Sequence, residues 1–365
     1  VISSLGNKIH ARETMIKAGI PVTPGSKGNL KDVAEALSIA DNIGYPIMLK
    51  ATSGGGGRGI RLCRNKQELS KNYPRVISEA SKAFGSADVF MEKNIVNPKH
   101  IEVQILADEQ GNVIHLYERD CSIQRRHQKL IEIAPSPQLT EKQRQFIGEL
   151  AVKAAHAADY SNAGTVEFLL DENDQFYFME VNTRLQVEHT ISEQITGIDI
   201  VQEQIRIASG LKLRFTQEQV QIRGYAMEFR INAEDPKNDF LPSYGQITRY
   251  LAPGGPGVRT DTAIYTGYII PPYYDSMCAK LIVWALQWDE VIQRSKRALK
   301  DMSVYGVKTT IPYQNAILNS ADFVAASFTT RFVEQHPELI NYSIKCSRQH
   351  VALAFAAAIA AHQGM

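Results

Sequence analysis

The sequence predicts an α+β protein of two or more domains, and three observations carry that reading. Runs with period-2 alternation are joined in pairs by short turn signals, as in 100–107 with 113–120 and 165–170 with 175–182. Helical-period segments with Ser or Thr ahead of them or Gly behind them lie between these pairs. At 365 residues and 44% hydrophobic content, the chain can bury more than one core.

The elements follow in order. Residues 1–20 read as a helix that begins after Ser3 or Ser4, ends at Gly19 and is stopped by Pro21 and Pro24. A second helical period runs over 32–43, up to Gly44. Residues 46–51 are a buried strand, 52–59 a glycine loop and 60–64 the returning strand. A helix over 66–84 and a strand over 88–92 complete a small α+β unit. A larger domain begins near Ile95, with strands 100–107 and 113–120 paired across 108–112. Helix 140–158 starts at a Thr140 cap. Strands 165–170 and 175–182 then form a hairpin turned at Asn173 and Asp174. A helix over 191–209 is interrupted at Gly197, and 220–287 is strand-rich, punctuated by Gly-Gly-Pro-Gly at 254–257. Helices over 290–301 and from Tyr313 follow, and 348–362 is an Ala-rich tail of helical propensity. The expected division is a connecting helix at 1–21, a small domain at 22–94, a large domain at 95–340 and a tail at 341–365.

Composition excludes several classes. A net charge of +1 argues against a nucleic-acid or membrane-surface protein. The longest apolar run, near 351–361, is too short to span a bilayer, which takes about 20 residues. Cys63, Cys121, Cys278 and Cys346 show no ligand-like spacing and read as reduced thiols of a cytoplasmic protein. The chain starts at Val1 in mid-pattern with no signal peptide, so a truncated protein is expected.

The hairpin at 165–182 carries the first chemical signal. With Asn173 and Asp174 as the turn, Glu167 lies directly across from Glu180, and Asn182 is two places along on the same face. Opposed Cβ atoms there sit roughly 5 Å apart, and like charges repel. A hard divalent cation between two carboxylates and an amide oxygen removes that repulsion, and Mg²⁺ completes its shell with substrate phosphates. The alternative is a solvated face that merely carries acids.

Gly54, Gly55, Gly56 and Gly57 precede Arg58 and Gly59. Glycines let backbone N–H groups wrap closely around a polyphosphate. The spacing matches neither a Walker loop nor a dinucleotide fingerprint, and its place between strands fits a flap over phosphates. The alternative is a flexible hairpin tip. Lys50 ends the incoming strand within reach of such phosphates, or is simply solvated. The basic run Arg125, Arg126, His127 and Lys129 is balanced by Glu118, Asp120 and Glu132, which argues against a nucleic-acid patch. If the strand continues past 182, then Asn182, Arg184, Gln186 and Glu188 share one side. An arginine and a carboxylate there suit a small planar anion and a base, and a structural Arg–Glu pair is the equal alternative.

These runs resemble biotin carboxylase, an ATP-grasp enzyme. The resemblance rests on Ser-Gly-Gly-Gly-Gly-Arg-Gly at 53–59, Glu-Arg-Asp-Cys-Ser-Ile-Gln-Arg-Arg-His-Gln-Lys at 118–129, Met-Glu-Val-Asn-Thr-Arg-Leu-Gln-Val-Glu-His at 179–189, Phe-Arg-Ile-Asn-Ala-Glu-Asp-Pro at 229–236 and Pro-Pro-Tyr-Tyr-Asp-Ser-Met at 271–277. It runs in order from about Gly6 to about Glu338, and the tail beyond looks most like the separate subunits of two-subunit pyruvate carboxylases. The resemblance implies an ATP-grasp lid at 22–94 and a catalytic domain at 95–340, with the family's N-terminal Rossmann-like domain missing. It implies that ATP and bicarbonate give carboxyphosphate, whose carboxyl group passes to biotin on a carrier protein.

By the same resemblance Lys8, Lys50, Glu92, Ile95, His100, Gln124, His127 and Leu169 contact ATP, with Gly54–Gly57 over its phosphates. Glu167, Glu180 and Asn182 hold Mg²⁺ or Mn²⁺. Lys129 supports carboxyphosphate, and Arg184, Gln186, Val187 and Glu188 form the bicarbonate site with Glu188 as base. Arg230 stabilises the biotin enolate. Implied partners are a biotin carboxyl carrier protein or domain, a carboxyltransferase of an acetyl-CoA or pyruvate carboxylase, and a second copy of the full-length chain. Thr190 stands where the family commonly has Pro, and a small local effect is expected. The rivals are another ATP-grasp ligase, of the carbamoyl-phosphate or D-alanine kind, and a nucleotide-binding module without turnover.

Overall fold

A computed structural model describes residues 5, 7–52, 59–342 and 348–362. Gly54–Gly57, Arg58 and Cys346 lie outside the described residues. Helix α1 (Lys8–Lys17) begins where Asn7 caps it by accepting from the Ile9 and His10 amides and ends short of the expected Gly19, while residues 1–4 and 6 of the helix expected over 1–20 lie outside the described residues. Helix α2 (Val33–Ile43) starts where Asp32 accepts from the Glu35 amide and stops at Gly44, whose φ of +76° favours glycine.

Strands β1 (Ile47–Ala51) and β2 (Ile60–Cys63), helix α3 (Lys66–Phe84) and strand β3 (Val89–Lys93) complete the small unit. Its sheet is antiparallel in the order β2-β1-β3. Ala36, Ala40, Leu69 and Val76 of the two helices pack on Ile47, Leu49 and Met91, which gives this unit its own core.

Beside three short two-stranded pairs within 234–305, the large unit is built on one antiparallel sheet of eight strands. In chain order these are β4 (Lys99–Ala107), β5 (Val113–Arg125), β6 (Gln128–Ala134), β7 (Asn162–Leu170), β8 (Phe176–Asn182), β9 (Tyr225–Asn232), β10 (Val258–Thr262) and β11 (Met277–Ala285), arranged β10-β11-β9-β6-β5-β4-β7-β8. Helix α4 (Glu141–Ala157) opens with a reciprocal capping box between Thr140 and Gln143. With α1 it buries Ala11, Met15, Ile147 and Ala151 against Ile101, Val103, Val166 and Phe168. The expected 191–209 helix is two, α5 (His189–Thr196) and α6 (Ile200–Ala208), because Gly197 at φ +73° ends the first and Asp199 caps the second. Helices α7 (Trp288–Asp301) and α8 (Ile311–Leu318) cover β6, β9 and β11 over a core of Ile131, Phe229, Leu281, Val291 and Leu299. The tail is helix α9 (Arg348–His362), with Leu353, Phe355 and Ile359 exposed. Among the described residues no helix is long and apolar enough to cross a membrane.

The hairpin at 165–182 differs from its predicted turn while keeping the predicted pairing. The loop closes one residue earlier on its first strand, with the Asp171 amide bonded to the Gln175 carbonyl. Asp171 Oδ1 accepts from the Asn173 and Gln175 amides, and Asp174 takes φ +60°. Leu170 therefore faces Phe176 and Phe168 faces Phe178. A bulge at Met179 then shifts the register by one, so Glu167 faces Glu180 after all. Strand β8 ends at Asn182, so the condition of a strand continuing to Glu188 is not met. The chain instead turns at 187–188 into α5, leaving Arg184 exposed while Gln186 and Glu188 are buried.

Candidate active site

A cleft of about 1470 Å³ lies between the small sheet and the face of the large one. Every sequence-predicted site residue that the structure describes lines it.

From the small unit, Met48 and Glu92 pair across β1 and β3, with Lys50 two residues on. The Glu92 carboxylate takes the Lys50 ammonium and, at 3.5 Å, the Arg12 guanidinium. Ile95 and Lys8 line the same end of the cleft. Gln124 and His127 come from the tight β5–β6 turn, where Arg126 and His127 hold φ of +49° and +65°. Such left-handed backbone is costly for residues with a Cβ and persists when its surroundings hold it. Here Arg125 and Arg126 both donate to Asp239, at 2.5 and 3.1 Å.

The centre of the site is a buried charge cluster. His100 and Glu102 alternate along β4 and face Leu169 and Glu167 on β7. His100 Nε2 lies 2.9 Å from Glu167 Oε2. Lys129 on β6 contacts Glu102 and Glu188 and lies 3.6 Å from Glu167. Burial alone would lower its pKa, but Cys121 and these carboxylates raise it well above the ordinary lysine value, so it stays cationic. Glu102 and Glu167 are both held down at about 2: burial, the largest influence, opposes ionisation, but Lys129 together with Arg119 at Glu102, and together with His100 at Glu167, outweighs it. Glu167 Oε1 also accepts from Asn182 and Gln186, each at 2.8 Å.

Arg119 is fully buried and donates to Glu102, Gln104, Ser192, Thr165 and Gln186 at 2.6–3.0 Å. Glu188 is gripped at both oxygens, by Lys129 and by Arg230 at 2.9 Å, and Arg230 is itself held by Glu132 at 2.6 Å. Arg184 does not pair with Glu188; its guanidinium lies 3.5 Å from Asn182 Oδ1. The structural Arg184–Glu188 pair weighed from the sequence is therefore absent among the described residues. Thr190 is buried and donates its hydroxyl to Glu228.

The sequence does not single out Arg12, Glu102, Arg119 or Glu132 as site residues. A signal was present: His100, Glu102 and Gln104 alternate with Ile101, Val103 and Ile105 in a strand whose apolar face is core. Polar groups at every second position of such a strand face either water or a polar site. Here the burial of the opposite face decides for the site.

The donor set fits a hard cation. Glu180 makes no side-chain hydrogen bond or ion pair among the described residues, and with Glu167 and Asn182 it gives oxygen donors on the cleft side. A second group, His100, Glu102 and Glu167, has its ligand atoms within 4.8 Å of one another, but Arg119 and Lys129 already neutralise Glu102 there.

The depressed carboxylates set an acid-side prediction. A group whose folded pKa lies below its ordinary 4.5 adds stability that is present above that value and is lost as pH falls toward 2. Denaturant midpoints are expected to fall steeply over this window. Glu102→Gln, although less stable at pH 7, is expected to show a shallower fall; an unchanged slope removes Glu102 from the account.

Residues 7–216 match the family model described as the carbamoyl-phosphate synthase L chain ATP-binding domain, and 228–335 match the biotin carboxylase C-terminal domain. The chain is 53% identical over 365 residues to the 2-oxoglutarate carboxylase small subunit of Hydrogenobacter thermophilus, covering all of this chain and 77% of that one. It is 54% identical over 334 residues to the biotin carboxylase of a Nostoc species, covering 92% and 75%. Its fold is similar to the crystal structure of the biotin carboxylase domain dimer of the Hydrogenobacter 2-oxoglutarate carboxylase with MgADP, ADP and bicarbonate. That match has a TM-score of 0.91 at 56% identity and covers 94% of this chain and 76% of that one.

Proposed function

Because this chain belongs to the biotin carboxylase family of ATP-grasp ligases, we propose that it activates bicarbonate with ATP and passes the carboxyl group to biotin on a carrier protein. The observation that carries the reading is Glu188, held inside the cleft between Lys129 and Arg230 and beside Gln186. One carboxylate flanked by two cations is the equipment for deprotonating a bound anion and neutralising the charge that develops.

The residues divide the work as follows. ATP lies along Lys8, Lys50, Glu92, Ile95, His100, Gln124, His127 and Leu169, under the Gly54–Gly57 loop. Glu167, Glu180 and Asn182 hold Mg²⁺ or Mn²⁺, which supplies charge neutralisation at the phosphates. Bicarbonate sits among Arg184, Gln186, Val187 and Glu188. Glu188 takes its proton, the freed oxygen attacks the γ-phosphorus, and the bond to the β-phosphate oxygen breaks to release ADP. Lys129 holds the charge of the carboxyphosphate so formed. The carboxyl C–O bond of carboxyphosphate breaks, the departing phosphate takes the N1′ proton of biotin, the carboxyl carbon bonds to N1′, and Arg230 stabilises the biotin enolate. The domains we assign are 1–21, the lid at 22–94, the catalytic domain at 95–340 and the tail at 341–365.

The reading is tested by ADP release. It is expected to depend on bicarbonate and to rise with free biotin. ATP binding without bicarbonate-dependent hydrolysis supports an inert nucleotide-binding module instead. A carbamoyl-phosphate ligase also starts from ATP and bicarbonate, but residues 228–335 favour the biotin enzyme.

Related proteins include subunits of multi-subunit carboxylases and a dimeric domain. We assign a biotin carboxyl carrier, a carboxyltransferase partner, a homodimer of the full-length protein and the cytoplasm. The carboxyl acceptor we assign is a 2-oxo acid rather than acetyl-CoA. The similarity to the 2-oxoglutarate carboxylase subunit runs through the tail, whereas the similarity to the Nostoc protein spans 334 residues.

A further inference from the structure

We propose that Lys280 and Glu228 are positioning residues that hold the turn from Gln186 to Thr190 from behind, and so set where the Glu188 carboxylate stands. This rests on the reading of Glu188 as the base.

The placement begins with sheet register. Glu228 and Arg230 point to one face of β9, Lys280 of β11 pairs with Arg230, and Glu132 of β6 pairs with Glu228. That face lies beneath the turn. Arg230 reaches up to the side chain of Glu188 at 2.9 Å. Lys280 reaches up to its backbone, donating to the Val187 carbonyl at 2.6 Å. The Val187 carbonyl and the Glu188 amide belong to one planar peptide unit. An ammonium fixed on that oxygen therefore fixes the plane from which the Glu188 Cα departs. Thr190, the second residue of α5, is tied down in the same way by its hydroxyl bond to Glu228.

The alternative, that Lys280 simply pairs with acids, fits the distances poorly. Its carboxylate neighbours Glu228 and Asp261 lie at 3.7 and 3.9 Å, beyond hydrogen-bonding reach, and among the described residues its one short contact is to a neutral carbonyl. Burial, and then Glu132, pushes the Glu228 carboxyl up to about 8. That shift disfavours the charged form and so weakens Glu228 as a counter-ion that would draw Lys280 off the turn.

The test is steady-state kinetics of Lys280→Met, Lys280→Arg and Thr190→Val in the whole protein. In Lys280→Met the KM for bicarbonate is expected to rise about 10- to 100-fold, the range for loss of a charge-assisted hydrogen bond, with the KM for ATP within about twofold of wild type. Lys280→Arg should recover much of this, and Thr190→Val should show a smaller rise of the same selective kind. A folded Lys280→Met with an unchanged bicarbonate KM, or with both KM values raised alike, overturns the inference. Should Lys280→Met not fold, Thr190→Val decides: a selective rise supports the positioning role and its absence overturns it. Wild-type protein with no bicarbonate-dependent ADP release instead overturns the biotin carboxylase reading, and this inference with it.

Discussion

Glu188→Gln is expected to lower bicarbonate-dependent ATP cleavage by on the order of 10²–10⁴-fold, the usual contribution of a positioned base, while ATP still binds. The substitution keeps the shape of the side chain and removes its capacity to take a proton. It also removes the charge that Lys129 and Arg230 share, so those cations are left to Glu102, Glu167 and Glu132. Binding of ATP should survive, because Lys50, His100 and Leu169 come from strands whose pairing does not involve the turn at 187–188. The check is a pair of measurements on one preparation: ADP release with and without bicarbonate, and nucleotide affinity by calorimetry. Cleavage that persists at the wild-type rate removes Glu188 from the role of base.

Arg119→Met is expected to cost about 3–5 kcal/mol of stability, the range for breaking a buried ion pair by removing one partner. The guanidinium is fully buried and serves five side chains at once. Methionine fills much of the volume but leaves those polar atoms without their donor in a region that excludes water. Arg119→Lys should not restore the loss, because one ammonium has three donors and lacks the planar fork. Denaturant unfolding of the three proteins at pH 7 measures this. Equal midpoints for wild type and Arg119→Met contradict the hub. Gln186 loses a partner too, so a folded fraction of the variant should bind bicarbonate more weakly.

What could be read before folding was whatever depends on neighbours along the chain. Helix α4 was marked by its Thr140 cap, and α3 by a helical period at 66–84. The strands were marked by alternation, so the Glu167–Glu180 pairing was expected even though its turn was misplaced by a residue. The bulge at Met179 compensates for that offset, and a bulge answers to packing rather than to a local motif. The condition that the strand continue to Glu188 is not met, for a related reason. Alternation at 182–188 is real, but burying Gln186 and Glu188 against Arg119, Lys129 and Arg230 outweighs continued pairing at the sheet edge.

The sequence by itself determined the α+β alternation, the hairpins, most helix limits and the acids facing each other across β7 and β8. Each of these follows from residue period, capping or turn chemistry within a short stretch of chain. Only the tertiary structure decided which cations meet Glu188. Lys129 lies 59 residues away and Arg230 lies 42 away, and β6 meets β9 through buried packing, with Ile131 opposite Phe229, rather than through a turn. That register, fixed by a core that excludes water, brings polar side chains of β4, β5, β6, β7 and β9 together in one buried cluster.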